Sequence, residues 1–336
     1  MRPSRVLGDP AHPVNLYNCA SRMLRELPPW SAVEKDHFRS LLGKMLAFSG
    51  LEMVTFCFMD DHFHLLLAVP SERESLKAMS DHALLERLAC IYTPAEVKSI
   101  ALALGAHRQA GREDQADALR RSYLDRMHDI SAFMAEFKQR FTVWYNHRHE
   151  RDGTLWRGRF KSVLVEDDPE ALRTIAAYID LNPIRAGLVE DPAFYRWSGY
   201  AEAVAGGNPA RRGLSGLMQG VLTDKADVRN WAETQAIYRC WLYEASKTSE
   251  SFAQGLPMKD TEEVLAQQGA LSRPILAGCR IRHFTEGIAI GSREFVESVL
   301  QRYRSQFSRR RVDDARRIPV FAPTLFLSLR GLILRT

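Results

Sequence analysis

The sequence predicts an α+β fold, with an antiparallel sheet covered by helices on one face. Strand-like and helix-like segments follow one another in the order strand, helix, strand, strand, helix, strand, helix. Two of the strand-like runs are separated by only two residues, as in a hairpin. This order resembles a split βαβ arrangement, in which helices connect the strands of a single antiparallel sheet.

Composition and charge limit the class of protein without selecting one. The chain has 336 residues, of which 46% are hydrophobic and 26% charged, as in a globular protein of one or two domains. No apolar run approaches the roughly 20 residues that cross a bilayer, and we expect no signal peptide. Five cysteines without paired spacing indicate a reducing compartment, so we expect a cytoplasmic location. The net charge of +5 is only weak support for a nucleic-acid partner.

A short strand and a helix open the predicted fold. Residues 14–21 are typical of a strand, and Ser31 is placed to begin the helix. Glu34 follows Ser31 by three residues, which is the spacing of a capping box. Apolar residues then recur at roughly helical spacing as far as Phe48, and Gly50 is placed to end the helix.

A hairpin and a polar helical segment come next. The runs 53–59 and 62–69 are strand-like and are separated only by Asp60 and Asp61, which predicts a hairpin whose turn lacks glycine. The following segment, residues 71–129, is polar and highly charged, as solvated helices are. We interpret it as a helical insertion.

The last predicted elements are a helix, a strand and a second helix. A helix that is strongly apolar along one face begins near Ile130, and residues 160–165 are typical of the strand that follows. Asp168 and Pro169 have the identities of an N-cap and a first helical residue. Pro183 limits the helix that they begin.

Two histidines lie in the second strand of the predicted hairpin. Because side chains alternate between the faces of a strand, His62 and His64 share one face while Phe63 points to the other. Two imidazoles about 7 Å apart along a strand can converge on one divalent cation, although such a site needs a third ligand from elsewhere. The alternative is a pair of half-exposed histidines on a polar sheet face.

A tyrosine and an asparagine lie on the last predicted helix. Tyr178 and Asn182 are four residues apart, which places them on one helical face. The Asn182 carbonyl oxygen could complete the coordination of Mg²⁺ or Mn²⁺, and Tyr178 would then stand beside a metal-bound phosphate. The alternative is that Tyr178 packs in the core and Asn182 caps the helix before Pro183.

Three motifs in this order resemble those of the single-tyrosine HUH transposases, and most of all those of the REP-associated tyrosine transposases. The motifs are 62–67 (HFHLLL), 153–161 (GTLWRGRFK) and 178–188 (YIDLNPIRAGL). The resemblance covers about residues 12–205, interrupted by the insertion. It implies a ferredoxin-like HUH fold and an enzyme that cleaves and rejoins single-stranded DNA next to a hairpin.

The resemblance also implies a role for each candidate residue. His62 and His64 correspond to the two histidine metal ligands, Asn182 to the third ligand and Tyr178 to the nucleophile, with Mg²⁺ or Mn²⁺ as the cofactor. Attack by Tyr178 would give a 5′-phosphotyrosine link and a free 3′-hydroxyl, so no nucleotide cofactor is required. Tyr145 is the rival nucleophile, because it also lies on a predicted helix close to basic residues.

The sequence departs from the family pattern in the turn before the histidines. The family usually has Pro-Asn there, and this chain has Asp60 and Asp61. Two carboxylates beside the ion would strengthen cation binding but repel a DNA phosphate. Minimal family members also lack the insertion and residues 226–336, which we expect to form a mostly helical accessory region of unknown function.

Basic residues cluster between the last two predicted helices, around the second motif, with a tryptophan among them. Basic groups track phosphates and aromatic rings stack on unpaired bases, so we expect this cluster to bind DNA. Its members are Arg148, Arg151, Trp156, Arg157, Arg159 and Lys161. The alternative is a solvated basic loop in which Trp156 is buried.

Two other functions account for fewer of these residues. A non-catalytic DNA-binding or regulatory protein has no need of His62, His64, Tyr178 and Asn182 together. In a hydrolytic metallonuclease, water attacks the phosphate and Tyr178 is a bystander. We therefore expect a tyrosine transposase that acts on hairpin-bearing single-stranded DNA, either as a monomer or as a homodimer.

Overall fold

Seven strands form one sheet in the computed structural model, which describes residues 5–220, 228–246, 287–306, 315–317 and 327–329. The strands are β1 (Val14–Arg22), β2 (Glu52–Phe58), β3 (His62–Pro70), β4 (Lys161–Val165), β5 (Ala289–Gly291), β6 (Ala315–Arg317) and β7 (Leu327–Leu329). Their order across the sheet is β2-β3-β1-β4-β5-β7-β6.

Twelve α-helices lie in the same described ranges. They are α1 (Ala32–Ser49), α2 (Glu74–Lys77), α3 (Asp81–Leu88), α4 (Pro94–Gln109), α5 (Glu113–Leu124), α6 (Ile130–Arg148), α7 (Pro169–Asp180), α8 (Asn182–Arg185), α9 (Gly199–Val204), α10 (Asn208–Gln219), α11 (Trp231–Ser246) and α12 (Arg293–Arg302). Within these ranges, none is both long enough and apolar enough to cross a membrane.

The first four strands have the predicted arrangement. Strand β1 lies between β3 and β4, and β3 lies between β1 and β2, with every pair antiparallel. Helix α1 connects β1 to β2, and α6 precedes β4. The α+β fold and its order of elements are therefore confirmed, and this part of the sheet has the ferredoxin-like order. Strand β5 runs parallel to β4, which makes the whole sheet mixed.

The helix ends follow the signals in the sequence. Ser31 caps α1 and forms the complete capping box with Glu34. Gly50 ends α1 in the left-handed conformation, with φ 73°, which glycine adopts without steric cost. The Asp168 side chain accepts hydrogen bonds from two backbone N–H groups at the start of α7. Local capping chemistry thus fixes where the two helices that flank the site region begin.

Helices cover both faces of the sheet, so the prediction of one covered face was wrong. On one face α1 and α6 pack on the sheet, and Phe38 and Phe137 contact Phe63 there. On the other face α7, α9 and α10 bury Ile175 against the sheet beside Leu66. The physical reason lies in β3, where a nearly continuous apolar run supplies buried side chains to both faces.

The insertion between β3 and α6 is helical and has a small core of its own. Helices α2 to α5 fill it, and Leu76, Leu84, Leu88 and Leu124 pack together there with Phe48 of α1. This helical content is what the charged composition indicated. Whether residues 71–129 are an insertion in a domain of residues 12–205 stays a prediction.

The C-terminal residues take part in the main sheet. Strands β5, β6 and β7 extend it beyond β4, and α11 packs on the α7 face through Tyr238. The described parts of 226–336 therefore contain three short strands besides the expected helices. Hydrophobic periodicity missed these strands because each has only three residues.

Candidate active site

The two histidines lie on the α7 face of the sheet. Strand alternation sends Phe63 into the α1/α6 core and leaves His62 and His64 on the opposite face, as predicted. Their ring centroids are 5.3 Å apart and the rings are nearly perpendicular. His64 is only 3% exposed, whereas the His62 side chain is partly accessible. His64 is therefore the buried member of the pair, and His62 is the more accessible one.

Helix α7 brings Tyr178 against the deeper histidine. The ring centroids of Tyr178 and His64 are 5.5 Å apart, with an angle of 85° between the rings. Tyr178 is 8% exposed, and burial raises the pKa of its phenol, while the positive charges of Arg185 and Arg22 oppose that shift. The predicted meeting of strand-borne imidazoles and a helix-borne phenol is thus present in the structure.

Asn182 begins α8, two residues after the end of α7. Its side-chain nitrogen donates to the backbone oxygens of Tyr178 and Ile179, at 2.9 Å and 3.2 Å. These bonds are those of a helix cap, which was the alternative considered for this residue. They also fix the carboxamide, whose oxygen is the atom that could bind a cation. The role of Asn182 as a third metal ligand stays a prediction.

The two carboxylates of the turn already have cationic or imidazole partners. Asp61 lies 2.5 Å from Nδ1 of His62 and 3.6 Å from Nε of Arg22. The hydrogen bond from His62 is the main cause that lowers the pKa of Asp61. Asp60 lies 2.6 Å from Nζ of the buried Lys35. Asp61 is therefore positioned to orient His62, and Asp60 belongs to a separate ion pair.

The donor set fits a divalent cation in part. An ionised Asp61 accepts from Nδ1 of His62, which leaves the lone pair of Nε2 for a metal. Burial, and then the charges of His62, Arg185 and Arg22, hold the pKa of His64 well below its ordinary value, so that ring is neutral. Nδ1 of His64 is buried without a hydrogen-bond partner among the described residues. No group of three His, Cys, Asp or Glu side chains that could hold a metal occurs in those residues.

Two arginines at the site were not assigned from the sequence. The guanidinium carbon of Arg185 lies 4.5 Å from the centroid of the Tyr178 ring, and its Nη2 donates to the Tyr178 backbone oxygen at 2.6 Å. Arg22 lies on β1 directly opposite His62 on β3. Arg185 lies in the same sequence motif as Tyr178, which is a signal that the sequence contains. The position of Arg22 depends on strand register, which the sequence does not reveal.

The tryptophan of the predicted DNA-binding cluster is buried, which corrects its assignment. Trp156 is 7% exposed and packs edge-on against Phe63 and Trp30 in the α1/α6 core. Its indole N–H donates to Oγ1 of Thr142 at 2.9 Å. A ring enclosed in this way offers no face on which a base could stack. Basic neighbours on both sides of Trp156 in the sequence made it look exposed.

The basic members of the cluster divide into two groups by their place in the sequence, before and after Trp156. Arg148 is 3.2 Å from Glu34, and Arg151 donates to Asn146 at 2.8 Å, so both have protein partners. Arg157, Arg159 and Lys161 are exposed.

The second group begins next to the histidines. The backbone N–H of Arg157 donates to the backbone oxygen of Arg22 at 3.0 Å. Lys161 pairs with Ala20, which in turn pairs with His64. Paired residues face the same way, so Lys161 lies on the histidine face, two strands or about 10 Å away. These positions suit a DNA backbone that passes the histidines, and the DNA contacts themselves stay a prediction.

Tyr145, the alternative nucleophile, lies on the face of the sheet opposite to the histidines. Tyr145 is buried in the α1/α6 core, where it stacks on His149 with centroids 4.1 Å apart. The sheet therefore separates its ring from His62 and His64. Among the two tyrosines considered, only Tyr178 lies at the histidine pair.

Comparison with known proteins adds a structural likeness. No family model and no curated protein matches the chain. The solved structure of a REP-associated tyrosine transposase bound to a REP hairpin is similar to it, with 14% sequence identity and a TM-score of 0.34. The match covers 57% of this chain and 81% of that chain. At this level the similarity concerns the fold at most.

Proposed function

We propose that this protein is a metal-dependent transposase that cleaves and rejoins single-stranded DNA next to hairpins, with Tyr178 as the nucleophile. The observation that carries the proposal is the contact of the Tyr178 ring with His64, which itself adjoins His62. A phenol is buried beside two imidazoles, and exposed basic residues lie on the same face of the sheet. This arrangement suits phosphodiester transfer better than core packing alone. The catalytic part would be residues 12–205 without the insertion at 71–129.

The transfer step exchanges one phosphate ester for another. The Tyr178 oxygen forms a bond to phosphorus while the bond from phosphorus to the DNA 3′ oxygen breaks. The phenol loses a proton and the released 3′ oxygen gains one, so the step needs no external energy source. Because the phosphotyrosine link keeps the ester, attack by a 3′-hydroxyl can reverse the step and rejoin DNA. Burial opposes ionisation of the phenol, and Arg185 favours it.

The histidine pair would hold Mg²⁺ or Mn²⁺, with the Asn182 carbonyl oxygen as the third protein ligand. A bound cation supplies positive charge to the non-bridging phosphate oxygens. The fit rests on the unpartnered Nδ1 of His64 and on the hydrogen bond that Nδ1 of His62 donates to Asp61. The protein side of the site holds the two imidazoles next to each other and keeps the phenol beside them.

The test is a covalent-adduct assay. The protein is incubated with Mn²⁺ and an end-labelled, hairpin-bearing strand from the DNA that flanks its own gene, and the products are separated on a denaturing gel. We expect a protein–DNA band that is lost in Tyr178→Phe and kept in Tyr145→Phe. The control is matched, because it removes the hydroxyl of another buried tyrosine on the opposite face.

The other outcomes distinguish the alternatives. Free DNA fragments without a covalent band, unchanged in Tyr178→Phe, indicate a hydrolytic metallonuclease. Binding without cleavage indicates a non-catalytic DNA-binding protein. A covalent band that survives Tyr178→Phe contradicts the assignment of the nucleophile.

A further inference from the structure

We propose that Arg22 and Arg185 bind the backbone phosphate of single-stranded DNA at this site, one from each side. This inference rests on the proposed function for its substrate. The two guanidinium groups lie at the ends of an unbroken series of contacts through the site. The series runs from Arg22 through Asp61, His62, His64 and Tyr178 to Arg185.

Arg185 contacts Tyr178 directly. Its guanidinium carbon lies over the Tyr178 ring at 4.5 Å, and its Nη2 donates to the Tyr178 backbone oxygen. The positive charge is therefore held at the ring that would carry the phosphate. A guanidinium in this position can donate to a phosphate ester on the phenol oxygen.

Arg22 lies on β1, next to the strand that carries the histidines. Its Cα pairs with that of His62, and its Nε lies 3.6 Å from the carboxylate of Asp61. The Arg22 and Asp61 side chains are about half exposed, at 49% and 52%, so solvent and a ligand can reach both. A guanidinium that meets a carboxylate through Nε can still offer its Nη donors to a second anion.

The charges of the remaining groups explain why two arginines are needed. His64 is buried, and Asp61 places a half-exposed carboxylate at the entrance of the site. A phosphate that approaches the Tyr178 oxygen would therefore meet repulsion from Asp61 without a compensating cation from the protein. Arg22 neutralises Asp61 locally, and Arg185 supplies the charge at the phenol.

The test measures how binding depends on salt, without metal and without cleavage. Tyr178→Phe protein is titrated in EDTA with a fluorescent, hairpin-bearing single strand from its own flanking DNA at several NaCl concentrations. Each lost phosphate contact lowers the slope of log affinity against log salt by about 0.7 for single strands. We expect this decrease in Arg22→Gln and in Arg185→Gln, with affinity lower by about tenfold. Arg293→Gln is the matched control, since it removes an arginine that pairs with Glu297 on α12, and its slope should not change.

A second variant separates charge from folding. Arg185→Lys keeps the positive charge without the planar fork, so it should retain the salt slope even though it loses the bond to the Tyr178 backbone. Unchanged slopes in both glutamine variants, with melting temperatures equal to that of the parent, would overturn the proposal. That result would leave adduct formation by the wild-type protein unaffected, so the two proposals fail separately.

Discussion

At the scale of single residues, Asp61 shows how a departure from a family pattern can still serve a site. Its carboxylate holds Nδ1 of His62, and metal-ligating histidines commonly donate their other nitrogen to such a carboxylate. The Asp61 carboxylate therefore orients the imidazole in addition to repelling a DNA phosphate. The same carboxylate also meets Arg22, which reduces the repulsion.

Removal of the Asp61 carboxylate is expected to weaken metal binding. In Asp61→Ala the His62 ring loses the bond that fixes its orientation and tautomer, and affinity for Mn²⁺ should fall by about 10- to 100-fold. Isothermal titration with Mn²⁺ in the absence of DNA measures this directly. Asp117→Ala removes an exposed carboxylate from the insertion and serves as the control. Equal affinities in the two variants would show that Asp61 does not support the ligand.

Trp156 is expected to matter for stability and not for DNA. Trp156→Phe shortens a buried ring and removes the indole donor to Thr142, so the free energy of unfolding should fall by about 1–3 kcal/mol. Urea unfolding measures this loss, and fluorescence anisotropy with single-stranded DNA should give an affinity within twofold of the wild type. A large loss of affinity in a variant of unchanged stability would restore the stacking role predicted from the sequence.

At the scale of elements, a buried carboxylate fixes the helix that carries Tyr178. Asp180 of α7 accepts from Oγ1 of Thr55 on β2 at 2.9 Å, from the backbone N–H of Tyr200 on α9 and from the hydroxyl of Tyr238 on α11. Three other elements are thereby hydrogen-bonded to α7 at Asp180, two residues after Tyr178. The sequence motif contains this aspartate, but its partners come from far along the chain and could not be predicted.

Asp180 is expected to make stability depend on pH. Burial raises its pKa to about 7, above the unfolded value near 3.8, so between these values the folded state binds the extra proton. The stabilising contribution is complete below the unfolded pKa and is lost as the pH rises through about 7. The free energy of unfolding should therefore fall by on the order of 3 kcal/mol from about pH 5 to about pH 8, relative to Asp180→Asn. Urea unfolding across this range tests it, and parallel pH profiles for the two proteins would contradict it.

Helix α10 is expected to depend on a glycine for its position. A Cβ on Gly213 would lie 2.4 Å from the Val54 oxygen and 2.5 Å from the Met53 oxygen, so the helix rests directly on the β2 backbone. Gly213→Ala should therefore destabilise the protein by about 1–3 kcal/mol. Gly105→Ala on α4 is the matched control, because nothing lies within 4 Å of its Cβ, and it should be neutral or stabilising. Thermal melts compare the two, and equal shifts would contradict the close packing.

At the scale of the whole molecule, the sequence predicted features that depend on neighbouring residues and missed contacts between residues far apart in the chain. Capping residues, apolar spacing and the short turn gave the order of the first elements and the face shared by His62 and His64. The covering of the second face was missed because α9 to α11 lie far along the chain from the strands they cover. The position of Arg22 was missed because it follows from the pairing of β1 with β3. Conversely, Tyr178 could be placed because helical spacing and the motif agree.

The two-sided sheet also predicts how the protein unfolds. Each central strand sends alternate side chains into both cores, so neither core can separate while the strands remain paired. Leu42→Ala in the α1/α6 core and Ile175→Ala in the α7 core should each destabilise the protein by about 2–5 kcal/mol, since both side chains are fully buried.

Both substitutions should shift the same transition. Trp30 and Trp156 report on the α1/α6 core and Trp231 reports on the α7 core, so fluorescence follows both cores at once. Urea unfolding should show one cooperative change by fluorescence and by far-ultraviolet circular dichroism, displaced to lower urea in each variant. If Leu42→Ala instead produced a separate early step while the remaining change kept its wild-type midpoint, the two faces would be independent folding units. The sheet that aligns the histidines with Tyr178 would then be stabilised from the α7 side alone.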